Sequence, residues 1–140
     1  VVIGEAGILI RGESGAGKSS LALALLHHAA LSGRFARLVA DDRVSVTVRA
    51  GRLVARPLAA TAGLVERRGT GLLRLPHEPA AVLRLVVDCV AAPPRLPSGT
   101  ERSVTVYGCV LTRLWHRIDD DPLGVVGPVL SAVADTLVTE

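Results

Sequence analysis

A run of eight residues near the start of the chain has the composition and spacing of a phosphate-binding loop. The run Gly12-Glu13-Ser14-Gly15-Ala16-Gly17-Lys18-Ser19 fills every fixed position of the pattern G-x-x-x-x-G-K-[ST]. Glycines let the backbone approach a phosphate closely, and successive N–H groups then converge on its oxygens. Lys18 is placed to reach the β- and γ-phosphates of a nucleotide, and the Ser19 hydroxyl to bind Mg²⁺. With Ser20, these residues form the candidate nucleotide-binding set.

Lys18 has a second distinction within this chain. Of the 16 basic residues it is the only lysine, and all the others are arginine. A compact ammonium on a flexible stem suits a point contact with phosphate oxygens. The alternative interpretation of the run is a glycine-rich turn before an ordinary helix.

The segments on either side of this loop must hold it in place, and their composition predicts a strand and a helix. The apolar run 7–11 before the loop is typical of a buried strand, and 1–11 as a whole predicts two short strands joined by a turn at 4–7. The run 20–31 after the loop is rich in Ala and Leu, which favour helix, and Gly33 would end it. The helix N-terminus would then point its positive dipole end at the phosphates.

The rest of the chain predicts a strand-rich α/β fold with a mixed sheet, as one P-loop nucleotide-binding domain over residues 1–140. We expect strands at 35–40 and 103–111, a hairpin over 44–55, a short strand at 64–65 and a central strand at 81–90. Charged or proline-rich loops are expected at 66–71 and 91–100. Asp119-Asp120-Asp121 could cap a helix. Because Pro128 disfavours a helix interior, the last helix is expected to start near Gly127 and run through Leu137.

Two apolar strands are predicted to deliver carboxylates to the nucleotide. Asp41 and Asp42 follow one of them, and Asp88 lies near the end of the other. Neighbouring residues on an extended backbone point to opposite sides, so one aspartate of the pair could address an acceptor and the other metal-bound water or an arginine. A pair of carboxylates also suits proton transfer. The alternatives are a turn acid pair capped by Arg43 and, for Asp88, a strand residue with its own partner.

Composition argues against a membrane protein and against a nucleic-acid-binding protein. No apolar run is long enough for a membrane span, and few aromatic residues are present for stacking on nucleic acid. Cys89 and Cys109 lie in apolar runs and are expected to be buried thiols, which with a P-loop favours a reducing, cytoplasmic setting. The arginine-rich stretch 43–74 is either a surface for phosphates or an acidic partner, or a set of solvated strand faces.

Three motifs together resemble a known family. The P-loop is followed by Leu38-Val39-Ala40-Asp41-Asp42-Arg43-Val44 and then by Val65-Glu66-Arg67-Arg68-Gly69-Thr70-Gly71. In order and spacing this resembles the catalytic domain of the HPr kinase/phosphorylases over nearly the whole chain, in the short form that lacks the N-terminal domain. The resemblance implies ATP- and Mg²⁺-dependent phosphorylation of a serine of HPr, the phosphocarrier of the sugar phosphotransferase system, and reversal by phosphorolysis. It also implies a fold like the nucleotide-binding part of phosphoenolpyruvate carboxykinase, and a homo-oligomer, commonly a hexamer.

The resemblance also implies roles for individual residues. Asp41 matches the carboxylate that acts as base in the kinase direction, and Asp42 is its neighbour in the same site. Glu66 matches a metal-site acid, alongside Ser19. Arg95 matches a catalytic arginine on a mobile loop, and Lys18 holds the β- and γ-phosphates.

The chain departs from the family pattern at several places. The family histidine shortly before the first strand is not among residues 1–140. Arg68 and the turn Gly69-Thr70-Gly71 match the family's signature loop, which usually continues into Asn or Asp, and Arg74 stands near that place here. The late segment 108–114, which in the family serves phosphorolysis, keeps only Arg113 of its basic residues. Two other functions remain open at this stage. One is a P-loop kinase acting on a small molecule, and the other is a non-catalytic nucleotide-sensing module.

Overall fold

In the computed structural model, which describes residues 1–138, two helices pack on one face of a large mixed sheet. The helices are α1 (Lys18–Leu31) and α2 (Leu123–Val138). The strands are β1 (Val2–Ile3), β2 (Ala6–Arg11), β3 (Ala36–Arg37), β4 (Val44–Arg49), β5 (Arg52–Pro57), β6 (Leu64–Arg67), β7 (Gly71–Arg74), β8 (Ala81–Val90), β9 (Ser103–Val106) and β10 (Cys109–Arg117). The strand-rich α/β class with a mixed sheet is therefore confirmed.

The sheet is built around β8, as the apolar run 81–90 predicts. Strand order is β3-β1-β2-β8-β10-β9, and the β4–β5 hairpin joins β8 through β5. Strands β2, β8 and β10 run parallel, so their carboxyl ends meet at one edge of the sheet. In open α/β sheets, ligands bind at this edge.

Alternate residues of the central strands bury two separate hydrophobic clusters, one on each face. Leu85 and Val87 of β8 pack with Leu21 and Leu25 of α1, on the helical face. Val86, pointing the other way, packs with residues of β1, β5 and β10. The register between β2 and β8 shifts between Leu83 and Leu85, and from Leu85 onwards the alternation fixes which side chains of β8 can meet those of β2 and β10.

The predicted hairpins at the start of the chain and over 44–55 are confirmed. Helix α1 also ends as expected, where Gly33 takes a φ of 73° and its N–H bonds the Ala30 carbonyl. The strand expected at 35–40 is shorter, because only β3 pairs with β1 and Leu38 forms a lone bridge to His77.

Three predictions about strands, loops and burial are wrong in whole or in part. The strand expected at 103–111 is a hairpin, β9–β10, that turns at Tyr107 and Gly108, both with positive φ. The expected loop 66–71 is a turn only over 68–70, where a bond from the Thr70 N–H to the Arg67 carbonyl closes the β6–β7 hairpin, and its ends belong to the two strands. Cys109 is half-buried rather than buried, with its thiol 3.5 Å from the Gly51 carbonyl.

The last helix starts at Leu123, not near Gly127, and contains Pro128. Asp121 caps it, since its carboxylate accepts the Leu123 N–H at 2.9 Å. Pro128 and Gly124, whose carbonyl loses its helical donor, are both exposed, so water can bond that carbonyl. Within residues 1–138, neither helix is long and apolar enough to cross a membrane.

Candidate active site

The eight-residue run forms a loop between β2 and α1, at the carboxyl edge of the sheet. Gly15 and Gly17 both adopt a left-handed backbone, with φ of 83° and 82°, which L side chains rarely take. Gly17 is the N-cap of α1, and no side chain caps the helix there. The first N–H groups of α1 are therefore open to an anion such as a phosphate.

Gly12 brings this loop close to the central strand. A Cβ at Gly12 would lie 2.9 Å from the Cys89 carbonyl oxygen and 3.0 Å from the Ala16 Cβ. Any other residue would push the loop away from the end of β8. The Lys18 ammonium donates to the carbonyls of Gly12 at 2.8 Å and Glu13 at 2.9 Å. These bonds curl Lys18 over the loop without pairing it to a carboxylate.

Asp41 joins the three motifs that the sequence analysis identified. Its Oδ1 accepts a hydrogen bond from the Ser19 hydroxyl at 2.8 Å. Its Oδ2 accepts a bond from the backbone N–H of Glu66 at 3.1 Å. One carboxylate thus ties the helix start to strand β6, although the three residues are far apart in sequence.

Asp42 and Glu66 lie next to the phosphate-binding loop. Both line a cavity of about 380 Å³ together with Lys18 and Ser19. Both are exposed, and within residues 1–138 neither carboxylate has an ion pair. Asp41 lines a smaller cavity of about 90 Å³, which Asp42 and Lys18 line as well. Asp42 thus lines both cavities, whereas Asp41 lines only the smaller one and Glu66 only the larger one. We call Lys18, Ser19, Asp41, Asp42 and Glu66 the P-loop cluster.

The oxygen donors of the P-loop cluster fit Mg²⁺ bound together with phosphate. The Ser19 hydroxyl and the carboxylates of Asp42 and Glu66 are hard ligands around one cavity. Within the described residues, no group of three or more His, Cys, Asp or Glu side chains is placed to hold a metal ion. Mg²⁺ commonly binds through one or two carboxylates plus substrate phosphates, so this small donor set matches that mode.

Arg95 lies outside the cavity of the P-loop cluster. It is exposed and lines a different cleft, of about 970 Å³, between the loop after β8, strand β10 and the start of α2. Within the described part of the chain its guanidinium has no hydrogen-bond partner. Its catalytic role stays a prediction, as do the roles of the other site residues.

Asp88 is a strand residue with its own partner, which decides between the two alternatives for it. It is 7% exposed and lies opposite Arg11 in the β2–β8 register. Arg11 donates two parallel bonds to the Asp88 carboxylate, from Nε to Oδ1 at 2.7 Å and from Nη2 to Oδ2 at 2.9 Å. The hydrogen bonds to Asp88 raise the pKa of Arg11 above its ordinary value. Asp88 therefore does not face the nucleotide cavity.

Sequence reasoning did not single out Arg11 as a partner. The available signal was a charged residue at the end of each of two apolar strands. Pairing Arg11 with Asp88 also requires knowing that these strands are parallel neighbours in register, which periodicity does not reveal.

Comparison with known proteins finds relatives over the part of the chain that contains the three motifs. The sequence model of the HPr Serine kinase C-terminal domain matches residues 1–77. HPr kinase/phosphorylase from Clostridium tetani is 44% identical over 70 residues, and the same enzyme from Clostridium beijerinckii is 45% identical over 67 residues. These matches cover 50% and 48% of this chain, but only 21% and 20% of the relatives' length.

The match in three dimensions extends further along the chain. The HPr(Ser) kinase/phosphatase structure from Coxiella burnetii superimposes with a TM-score of 0.76, covering 96% of this chain and 93% of that one. Its sequence identity is 22%, so this likeness concerns the fold. The matching sequence model covers more than half of the 140 residues and contains the whole P-loop cluster. The chain therefore belongs to the HPr serine kinase C-terminal domain family.

Proposed function

We propose that this chain is the catalytic part of an ATP- and Mg²⁺-dependent protein serine kinase that phosphorylates HPr. The observation that carries the proposal is the pair of hydrogen bonds made by Asp41. They join the Ser19 hydroxyl and the backbone of Glu66 to one carboxylate. A phosphate-binding loop, an acid pair and a further acid are thus held together around the start of α1, which is the set that phosphoryl transfer needs.

Nucleotide binding is assigned to the loop and the start of α1. The N–H groups that follow Gly17 bind phosphate oxygens, and the Lys18 ammonium turns from two backbone carbonyls towards the β- and γ-phosphates. Ser19 and Glu66 would hold Mg²⁺, which neutralises charge on the phosphates when bound.

The aspartate pair is assigned to the proton of the acceptor serine. The family resemblance gives the role of base to Asp41. Both oxygens of Asp41 already accept hydrogen bonds, which suits a residue that orients Ser19. Asp42 is exposed and unpaired within residues 1–138, so it is the geometric alternative for the base. Comparing the two variants separates these roles, as described in the Discussion.

The test is transfer of label from γ-³²P ATP to purified HPr. We expect label on HPr that survives acid, because phosphoserine is acid-stable whereas phosphohistidine is not. The matched controls omit Mg²⁺ or replace HPr with a variant lacking its target serine. Absence of acid-stable label on HPr in the complete mixture would contradict the proposal. Label on a small molecule would instead favour a small-molecule kinase, and nucleotide binding without any transfer a sensing module.

The reverse reaction is a second candidate function, favoured by the name of the relatives, HPr kinase/phosphorylase. Inorganic phosphate would attack the phosphorus of phosphoserine, the bond to the serine oxygen would break, and that oxygen would take a proton as pyrophosphate forms. Incubating phosphorylated HPr with inorganic phosphate and measuring pyrophosphate tests it. Release of orthophosphate without pyrophosphate would contradict phosphorolysis.

A further inference from the structure

Asp88 is a buried acid that the proposed reaction leaves unused. It lies one strand away from the entrance to the P-loop, because Arg11, its partner, immediately precedes Gly12. The register of the parallel strands places Asp88 opposite Arg11 on β2 and opposite Trp115 on β10. Directly opposite residues share a face, so these three side chains lie together at the carboxyl edge of the sheet.

Arg113 extends this group towards the neighbouring loop. Its Nη1 lies 3.5 Å from Asp88 Oδ2, a longer ion-pair contact than those of Arg11. Its Nε donates to the Glu101 carbonyl at 3.0 Å, and its guanidinium lies 4.3 Å from the centre of the Trp115 ring. The Trp115 indole N–H donates to the same carbonyl at 3.0 Å. We call Arg11, Asp88, Arg113 and Trp115 the strand-end network.

Glu101 belongs to a compact turn that closes the loop carrying Arg95. Its side chain accepts the Ser98 N–H at 2.7 Å, and Arg102 Nε donates to the Pro97 carbonyl at 3.0 Å. The turn therefore holds itself together, and the bonds from Arg113 and Trp115 fasten it to β10.

The position of Arg95 must be set by the ends of its loop, because its own guanidinium has no partner within the described residues. One end of the loop leaves β8 two residues after Asp88. The other end is the turn at Glu101, which Arg113 holds next to the Asp88 carboxylate. The same carboxylate grips Arg11 at the entrance to the P-loop. The buried Asp88 carboxylate thus contacts both Arg11, which precedes the P-loop, and Arg113, which holds the end of the Arg95 loop.

We propose that Asp88 is a positioning residue that fixes the Arg95 loop relative to the P-loop by holding Arg11 and Arg113 together. The proposal rests on the proposed kinase function for the role it gives to Arg95. Without the carboxylate, the two guanidinium groups repel each other and the turn at Glu101 loosens from β10. Arg95 is then misplaced, although the P-loop keeps its own internal bonds.

The first test uses Trp115, the only tryptophan in the chain, as a reporter. Asp88→Asn keeps the shape of the side chain and removes its charge. We expect acrylamide to quench the Trp115 fluorescence of this variant more strongly, with far-UV circular dichroism unchanged. Asp119→Asn, an exposed acid at the same end of the sheet, is the matched control. Arg11→Lys, which loses the two-bond grip without touching Trp115, is the second variant should Asp88→Asn fail to fold. Quenching equal to that of the unsubstituted protein would overturn the proposal.

The second test measures transfer to HPr. We expect Asp88→Asn to lower kcat about 10-fold to 100-fold, since small misplacement of a reacting group has effects of that size. The Kd of a fluorescent ATP analogue should stay within about 2-fold, a change too small to indicate a lost contact. In an Arg95→Ala background the same substitution should have no further effect on kcat, and Asp88→Glu should restore part of the activity.

The two proposals fail in different ways. If the unsubstituted protein transfers no phosphate to HPr, the kinase proposal fails, and the quenching of Trp115 still decides whether Asp88 holds the turn. If transfer occurs but Asp88→Asn lowers kcat equally with and without Arg95, the positioning role is wrong. A loss of nucleotide affinity as large as the loss of kcat would also overturn it, because the P-loop itself would then have moved.

Discussion

The P-loop cluster and the strand-end network lie at the same edge of the sheet, but their charged groups are bonded differently. Lys18 donates only to backbone carbonyls in the described structure, and the carboxylates of Asp42 and Glu66 have no ion pair there. Asp88 is buried and gripped by Arg11 through two short bonds. The side chains proposed to bind the nucleotide and Mg²⁺ are thus without an ion pair within the described residues, whereas the carboxylate that links β2 to β8 is already neutralised by one.

The two regions also differ in how the chain brings them together. The P-loop cluster depends on contacts over 22 and 25 residues, from Asp41 to Ser19 and to Glu66. The strand-end network depends on a pair 77 residues apart, which exists only because β2 and β8 are parallel neighbours. The matching sequence model ends at residue 77, so it covers the first region and only Arg11 of the second. The same edge of the sheet thus carries a motif that can be recognised in the sequence and an ion pair that depends on how β2 and β8 are aligned.

The largest expected effect comes from the aspartate pair, within the P-loop cluster. Asp41→Asn should lower transfer to HPr by roughly 10²- to 10⁴-fold if Asp41 accepts the serine proton, because an amide cannot act as a base. Nucleotide binding should persist, since Asn can still accept the Ser19 hydroxyl bond. Single-turnover transfer and a nucleotide titration measure the two effects.

Asp42→Asn is the matched control for that experiment. It removes the neighbouring charge, which lines the same small cavity as Asp41, and leaves the bonds of Asp41 intact. A larger loss of transfer in Asp42→Asn than in Asp41→Asn would assign the base to Asp42. Loss of ATP binding in Asp41→Asn would instead give Asp41 a metal or folding role.

Lys18→Ala should separate function from stability. We expect kcat/KM to fall about 10²- to 10³-fold, because the ammonium is the cation proposed to meet the charge on the phosphates. The free energy of unfolding should change by no more than about 0.5 kcal/mol, since the bonds it loses are exposed bonds to carbonyls. Urea unfolding checks the second value. A large loss of stability would mean that Lys18 holds the loop together, which would break the contrast with Asp88.

Asp88→Ala should differ from Lys18→Ala because it lowers the stability of the fold in addition to any effect on transfer. The substitution leaves Arg11 and Arg113 without their anion at a partly buried site. We expect a loss of about 1.5–3 kcal/mol in the free energy of unfolding, the range for hydrogen bonds to charged groups. Urea unfolding of Asp88→Ala, with Asp119→Ala as the exposed control, measures it. An unchanged unfolding midpoint would show that the network contributes nothing to the fold.

The contrast between the regions also explains which features the sequence could predict. The P-loop, the helix after it and the central strand depend on local patterns, and all three lie where composition indicates. The prediction of one strand over 103–111 was wrong because the strand-like pattern of residues continues through a turn. In that turn Tyr107 has a φ of 45°. The start of α2 was placed too late because Pro128 was given more weight than the cap at Asp121.

The site shows the same division between local and distant information. The three motifs predicted one site for Lys18, Ser19, Asp41, Asp42 and Glu66, and in the structure all of these except Asp41 line one cavity. The roles of these residues stay predictions. The cleft that Arg95 lines could not be predicted, since it depends on how β10 and α2 pack against the loop after β8. The grip of Asp88 on Arg11 likewise required the sheet order, which no local pattern contains.

The smallest expected effect concerns the reactivity of the Cys89 thiol. This residue lies between the two regions, and the charges of Asp88 and Lys18 both act on it. Burial raises the pKa of its thiol above the ordinary value, the nearby charge of Asp88 adds to the increase, and Lys18 opposes it. Iodoacetamide should therefore modify the half-buried Cys109 before Cys89, and the reaction of Cys89 should begin at a higher pH than that of a free thiol. Mass spectrometry of peptides from the native protein, sampled across pH, measures both rates.

The raised pKa of Cys89 also makes the stability of the fold depend on pH. As pH rises past the ordinary thiol pKa, the unfolded chain loses the Cys89 proton while the folded chain keeps it. The folded state then binds more protons, so the contribution of Cys89 to stability falls as pH rises through this window. In a Cys109→Ser background, Asp88→Asn should move the alkylation profile of Cys89 to lower pH and Lys18→Ala to higher pH. Shifts in the same direction would mean that the charges of the two regions do not both act on this thiol.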